Sequence, residues 1–403
     1  MISQSSIDSK IDLVASSRVA LWRVPHLIPI MFAMFLAMVA EAMAGSYMAL
    51  LAVRKIGMSP LELSAFLTIP TATGLIVTTY LGHLHDRHPA IWPLLLSLFS
   101  KVAGLVLCAY LTTTWMLVMN AGILFGLSAG TFSLLFAVAK ARLDLIGGET
   151  VSQGMAALRL IASLSWTIGP ALGAILVSTQ GFEGVYVGAA VLAGLALSIV
   201  ALARIKIYEP QENASAVITV KIFKALAPAA FALTAVHTAM FMGSNAMAIV
   251  VAQDIGSDDD VGLLFSLCAG LEVLVMGIFI LWPGLSKRRW LLFVGFGLFA
   301  LYFLTALVWP TILCLYIGQL PRAAAIGIIS IVAMETVQAM FPGRTGTASA
   351  LFGNTVSIGF LLSGIGTGVL ANSFGYWSLF WLCAALCVVA VAALAFSKQS
   401  PGK

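Results

Sequence analysis

The chain has 403 residues, of which 61% are hydrophobic and only 9% charged, with a net charge of +5. A soluble domain carries roughly 25% charged residues. This composition, with a mean hydropathy of +1.05, therefore excludes a soluble globular protein and points to an all-helical integral membrane protein.

Residues 1–26 read as a cytoplasmic tail. Twelve apolar runs follow, near 27–50, 61–81, 91–111, 115–139, 153–177, 183–203, 227–251, 261–283, 290–309, 311–334, 346–370 and 375–396. Each is close to the ~20 residues that cross a bilayer as a helix. The split at Trp309–Pro310 requires a very tight turn. The stretch "AEAMAG" through Ala44 mimics a signal-peptide cleavage site, but Glu41 spoils its cleavage region. The long polar stretch at 204–226 divides the runs six and six. That gives one bundle over 27–203, a cytoplasmic linker, a second bundle over 227–396 and a cytoplasmic tail at 397–403.

With the N-terminus cytoplasmic, sixteen basic residues fall on inner segments and only two, Arg54 and Lys55, on outer loops. The positive-inside rule selects this orientation over its inverse. It also accounts for the net charge without nucleic acid. Lys101, Arg159 and Arg322 remain, and all three lie inside spans. The five cysteines sit in apolar spans and read as small packing residues.

A shift of 195 positions brings "GGET" at 147–150 onto "PGRT" at 342–345. It also brings Gly169 and Gly173 onto Gly364 and Gly368, a repeated GxxxG face of the kind that lets helix backbones approach closely. Under the same shift Arg159 falls on Asn354, and Glu41 falls within one residue of His237. Two parallel six-helix halves is the plan of the major facilitator superfamily. "GHLHDRH" at 82–88 resembles its signature G-x-L-x-D-R-x-G-R at Gly82, Leu84, Asp86 and Arg87, but not at the terminal glycine and basic residue. A carboxylate at the cytoplasmic mouth can meet the positive end of a neighbouring helix and latch one conformation. Gly82, Asp86 and Arg87 form that candidate latch; an ordinary basic inner loop is the plainer reading.

"LRLIASLSWTIGPAL" at 158–172, "GLE" at 270–272 and "PGRTGTASALFGNTVSIGFLLSG" at 342–364 resemble the sugar efflux transporter family. The resemblance implies a proton-coupled exporter of the inner membrane, with Arg159 and Glu272 at family positions. Glu41, Lys101 and Arg322 depart from them. It also implies that the first, fourth, seventh and tenth helices line a central cavity and that the fifth and eighth meet at the seam between halves.

A charge at the bilayer centre costs at least about 2.5–3.5 kcal/mol, so buried charges persist when paired, water-facing or useful. Arg159 is expected to pair with Glu272 across the seam, as a moving or a static contact. Glu41 and Arg322 are expected to face the cavity, binding substrate, carrying a proton or pairing with each other. His237, Asn245, Gln319 and Asn354 complete the candidate substrate and proton pathway, though His237, Asn245 and Gln319 each read equally as packing. Trp166 could stack on a sugar ring, but a lipid-facing or core tryptophan is the commoner case. Lys101 reads as a side chain that snorkels or faces a minor cavity, and no role is assigned to it.

The expected partners are a small-molecule substrate, protons and the lipid bilayer, with no cofactor, metal, nucleic acid or obligate protein partner. A drug, siderophore or other metabolite is the alternative cargo. Two other classes are weaker. "GLSAG" at 126–130 fits the serine-hydrolase pattern, but that pattern needs a strand–turn–helix elbow, and here it lies in a span within a Gly122–Gly126–Gly130 stripe. A non-transporting receptor would ordinarily carry a large soluble domain. HExxH, Walker and Cys/His metal spacings are missing from the sequence.

Overall fold

Inside lipid every backbone N–H and C=O must be satisfied within the protein, which a helix does residue by residue. The computed structural model describes residues 20–87, 90–203, 205, 220–339 and 345–396, and all regular structure among them is helical. The first six spans are α1 Leu27–Ser46, α2 Pro60–Arg87, α3 Trp92–Tyr110, α4 Thr114–Asp144, α5 148–180 and α6 182–202. The second six are α7 Val220–Val250, α8 Asp258–Leu281, α9 Trp290–Val308, α10 Ile312–Ala339, α11 Thr345–Phe374 and α12 Ser378–Phe396.

The run 148–202 is helical except at Gly181, where φ is 65° and ψ −164°. Glycine enters this left-handed region without a Cβ clash. One residue thus reverses the chain between α5 and α6 where the sequence suggests a loop at 178–182. The tight turn expected at Trp309–Pro310 is present, since α9 ends at Val308 and α10 begins at Ile312.

Four π-helical turns mark the two halves in matched places. Leu51–Lys55 follows α1 and Val251–Ile255 follows α7, while Ala121–Phe125 interrupts α4 and Ile329–Ala333 interrupts α10. Such turns are rare in helices, so their recurrence is a structural signature of one design built twice.

The halves meet where α5 packs on α8 and α11 on α2. A Cβ added at Gly262 of α8 would stand 2.3 Å from the Pro170 carbonyl oxygen and from the Tyr47 hydroxyl. One at Gly368 of α11 would stand 2.1 Å from the Pro60 carbonyl oxygen. Only glycine permits backbones this close. The repeated GxxxG face is used differently in its two copies. Gly169 and Gly173 abut α1 inside their own half, whereas Gly364 and Gly368 abut α2 across the seam. Contact of α11 with its own half falls to Gly359 and Gly366, against α7.

Burial shows which end of the seam is closed. The larger apolar core runs through both halves, from residues 40–67 to 232–264 and 371–394. A second core, built from residues 24–37 of α1 with Leu94, Leu135, Leu143, Leu158 and Val200, belongs to the first half alone. Packing joins the halves at the end that holds the α1–α2 and α7–α8 turns. Toward the other end α8 leaves α5: Gly270 still meets Thr167 at 3.5 Å, but Gly277 two turns on has nothing within 4 Å.

Candidate functional site

Between the halves lies a cavity of about 440 Å³. α1, α2, α3 and α4 form most of its wall, and Phe241 of α7 with Val356, Ser357 and Phe360 of α11 form the opposite side. The wall is chiefly apolar. Its charged residues are Glu41 and Lys101, which form an ion pair between α1 and α3. The Lys101 side chain is 7% exposed and that of Glu41 49%. The Lys101 side chain is therefore packed along the wall it helps to line, while the carboxylate meets the cavity. Lys101, which the sequence leaves without a role, is thus part of the site. Sixty residues separate the pair in the chain, and no motif or periodicity links them.

A second polar cluster occupies the other half. Arg322 of α10 is 4% exposed. It donates to Gln319 Oε1 at 2.9 Å and to Ser244 Oγ of α7 at 2.7 Å. Its guanidinium lies over the rings of Phe265 and Tyr302, 5.4 and 5.6 Å from their centroids, distances at which the ring faces attract a cation. Gln319 also donates to the Leu315 carbonyl. Glu272 of α8 is half-buried, beside the place where Gly327 of α10 packs on Val275. Glu272 and Arg322 form no ion pair among the described residues.

These placements correct two expectations for Arg322 and leave Arg159 apart from Glu272 in the state described. Arg322 does not line the cavity and does not pair with Glu41; it is held by neighbours of its own half. Arg159 is exposed and makes no ion pair with Glu272 among the described residues. The reason is the open seam: Arg159 lies eleven residues before Pro170, close to three turns. It is therefore on the α5 face that meets α8, but beyond the point where α8 departs. Asn354, its counterpart in α11, is exposed as well.

His237 is buried against Thr355, 3.3 Å away, and edge-on to Phe352. It lines a smaller cavity of about 180 Å³ within the second half. Asn245 reaches Thr367 at 3.5 Å and no other side chain among the described residues. Trp166 is half exposed and is not on the cavity wall. Gly82, Asp86 and Arg87 fall in the last turns of α2, and their side chains lie outside the described residues. Ser128 donates to the Phe125 carbonyl, and a Cβ at Gly126 would stand 2.3 Å from Thr73 Oγ1. The GLSAG stretch is therefore a packing stripe of α4 on α2.

The closed end carries contacts that the sequence did not suggest. Arg54, in the π turn after α1, donates to the Ala252 carbonyl at 2.5 Å and to Asp258 Oδ1 at 2.6 Å. This spans the two halves, from the end of α1 to the end of α7 and the start of α8. Asp258, Asp259 and Asp260 open α8, where negative charge suits the helix dipole. Lys55 donates to the Ala109 carbonyl at 2.7 Å and lies 3.6 Å from Glu183, and Trp377 donates to Asp254.

Comparison with known proteins follows the same lines. The sequence profile of the Major Facilitator Superfamily matches residues 30–233 and again 229–403. A protein of Deinococcus radiodurans named for sugar efflux is 31% identical over 94% of this chain and 99% of its own. Sugar efflux transporter A of Escherichia coli is 26% identical over 90% of this chain and 93% of its own. Among solved structures, the nucleoside transporter NupG superposes with a TM-score of 0.72 at 15% identity, over 91% of this chain and 98% of that one. A bacterial homolog to the human lysosomal transporter Spinster gives 0.70 at 12% identity, over 92% and 95%. With two six-helix halves, a cavity at their seam and a family profile that matches each half in turn, this chain belongs to the Major Facilitator Superfamily and resembles its sugar efflux transporters.

Proposed function

We propose that the protein exports sugars or sugar-like small molecules across the cell inner membrane by alternating access, coupled to protons. The observation that carries this reading is the seam cavity, sealed at one end by inter-half packing and left unsealed at the other. The names of the Deinococcus radiodurans and Escherichia coli relatives supply the cargo class. The bundles 27–203 and 227–396 rock about the cavity, with the linker 204–226 and both termini cytoplasmic. The sixteen-to-two distribution of basic residues supports that orientation. The state described is then inward-open.

Glu272 is the residue we assign to the proton. It lies outside the cavity, beside the buried Arg322, so gain or loss of a proton changes a charge balance between α8 and α10. On closure of the cytoplasmic end, Arg159 comes against α8, and the α2 end with Gly82, Asp86 and Arg87 latches. The test is flux of labelled sugars, drugs and siderophores into inverted vesicles, with and without an imposed pH gradient. Sugar accumulates only with the gradient, and Glu272→Gln abolishes accumulation while sparing exchange down a gradient. Accumulation of a drug or siderophore without any sugar would overturn the cargo, and full accumulation by Glu272→Gln would overturn its role.

A further inference from the structure

We infer that the Glu41–Lys101 pair is the element that reads the cargo, and that it reads an uncharged vicinal diol. The inference rests on the sugar-export reading and narrows it to one place on the cavity wall. Hydrogen-bonding capacity decides the place. Five hydroxyls line the cavity: Thr71, Thr78, Ser128, Thr131 and Ser357. Thr71 gives its hydrogen to the Leu67 carbonyl, Thr78 to Gly74, Ser128 to Phe125 and Thr131 to Ser128. These four can only accept. Ser357 alone keeps its hydrogen among the described residues, and it belongs to the opposite half.

The pair is different. A lysine ammonium has three donors, and Lys101 spends one, on Glu41 Oε2. Its other two have no partner among the described residues, although the side chain is 7% exposed. Glu41 Oε1 likewise has none, in a carboxylate 49% exposed and lining the cavity. An unfilled ionic acceptor and unfilled ionic donors therefore stand side by side on an otherwise apolar wall that includes Phe66, Phe125 and Phe132. Two hydroxyls on adjacent carbons match them: one donates to Glu41 while its neighbour accepts from Lys101. The pair sums to zero charge. A phosphate or carboxylate on the cargo would bring an unbalanced charge into this low-dielectric wall, where it is costly. The site therefore takes free sugars and refuses their phosphates. Lys101 acts both as a donor to the cargo and as the anchor that holds Glu41 in position.

The experiment measures equilibrium binding to the purified full chain in lipid nanodiscs. The ligands are methyl glucoside and methyl galactoside, their singly deoxygenated analogues, and the corresponding 6-phosphates. Hydrogen bonds to charged groups predict that deleting either of two neighbouring hydroxyls weakens binding about 10- to 100-fold, while other deletions cost little and the phosphates do not bind. The double variant Glu41→Gln with Lys101→Met leaves no lone charge behind and is checked by its melting temperature. It should bind sugar and deoxy analogue equally weakly, so the ratio between them collapses toward one. Glu41→Asp keeps the ion pair but withdraws the carboxylate, and it should lower the same ratio even where the double variant does not fold. A ratio that survives in either variant assigns the pair a structural role and overturns the inference, as does tight binding of a phosphate. Failure of the wild type to bind any sugar overturns the export reading itself.

Discussion

Arg54→Ala tests the contact that closes the sealed end of the seam. Arg54 bridges the halves by a charged hydrogen bond to the Ala252 carbonyl and an ion pair with Asp258. Its side chain is 46% exposed and that of Asp258 28%, so solvent screens the pair and the ionic part contributes only about 0.2–1 kcal/mol. The bond to the carbonyl contributes about 1.5–3 kcal/mol, and partial exposure favours the low end. The sum is about 2 kcal/mol, which shifts the equilibrium toward opening of the sealed end about 30-fold. Ser64→Cys is a suitable reporter, because Ser64 is 9% exposed and lies 2.3 Å from where a Cβ on Gly368 would be. In a background lacking the five native cysteines, labelling by a membrane-impermeant maleimide follows the open population when opening is faster than reaction. The rate should rise about 30-fold in Arg54→Ala. Asp258→Asn removes only the ion pair and should raise it less than about fivefold, an effect that high salt erases. Equal labelling with and without Arg54 would refute the clamp, and equal effects of the two substitutions would refute the division between carbonyl and carboxylate.

Three further outcomes follow from the same geometry. Arg322→Ala leaves Ser244 and Gln319 without their charged donor, so it should destabilise the protein by about 1.5–3 kcal/mol for each bond lost; thermal unfolding in detergent checks this. Arg322→Lys should recover only part of that loss, because one ammonium lacks the planar fork that reaches Gln319 and Ser244 together. Gly262→Ala inserts a methyl 2.3 Å from the Pro170 carbonyl and the Tyr47 hydroxyl, so the sealed end cannot seat and the Ser64→Cys reporter should label faster; unchanged labelling would mean that α8 shifts freely past α5. Cysteines at Arg159 and Gly277, which lie on facing surfaces of the splayed helices, should cross-link poorly in the wild type and more readily with Arg54→Ala; cross-linking that is efficient already in the parent would contradict the open seam.

Much of the architecture was legible in the chain because lipid imposes a one-dimensional rule. A helix that crosses a bilayer must be about 20 apolar residues long, so runs of that length and the distribution of Lys and Arg determined the twelve spans and the expected orientation, whereas α7 begins at Val220, inside the break expected at 204–226. The repeat was legible as well, since small residues recur where backbones approach. The Gly122–Gly126–Gly130 stripe of α4 read correctly as packing, because its period matches a helix face. Even so, an identical spacing in α5 and α11 did not reveal that one face stays within its half while the other crosses the seam.

Partners of buried charges were decided only by tertiary structure. Lys101 reaches Glu41 because α3 packs beside α1, and Arg322 turns to Ser244, Gln319 and two aromatic rings because α7, α8 and α9 enclose that part of α10. Span hydropathy depends on composition along one helix, whereas these pairs depend on the rotation of each helix about its axis, and the two are independent. The exposure of Arg159 has a further cause. It depends on which end of the seam is closed, a property of the conformational state. One sequence encodes both states, and the inter-half contacts at Arg54, Gly262 and Gly368 select the one described here.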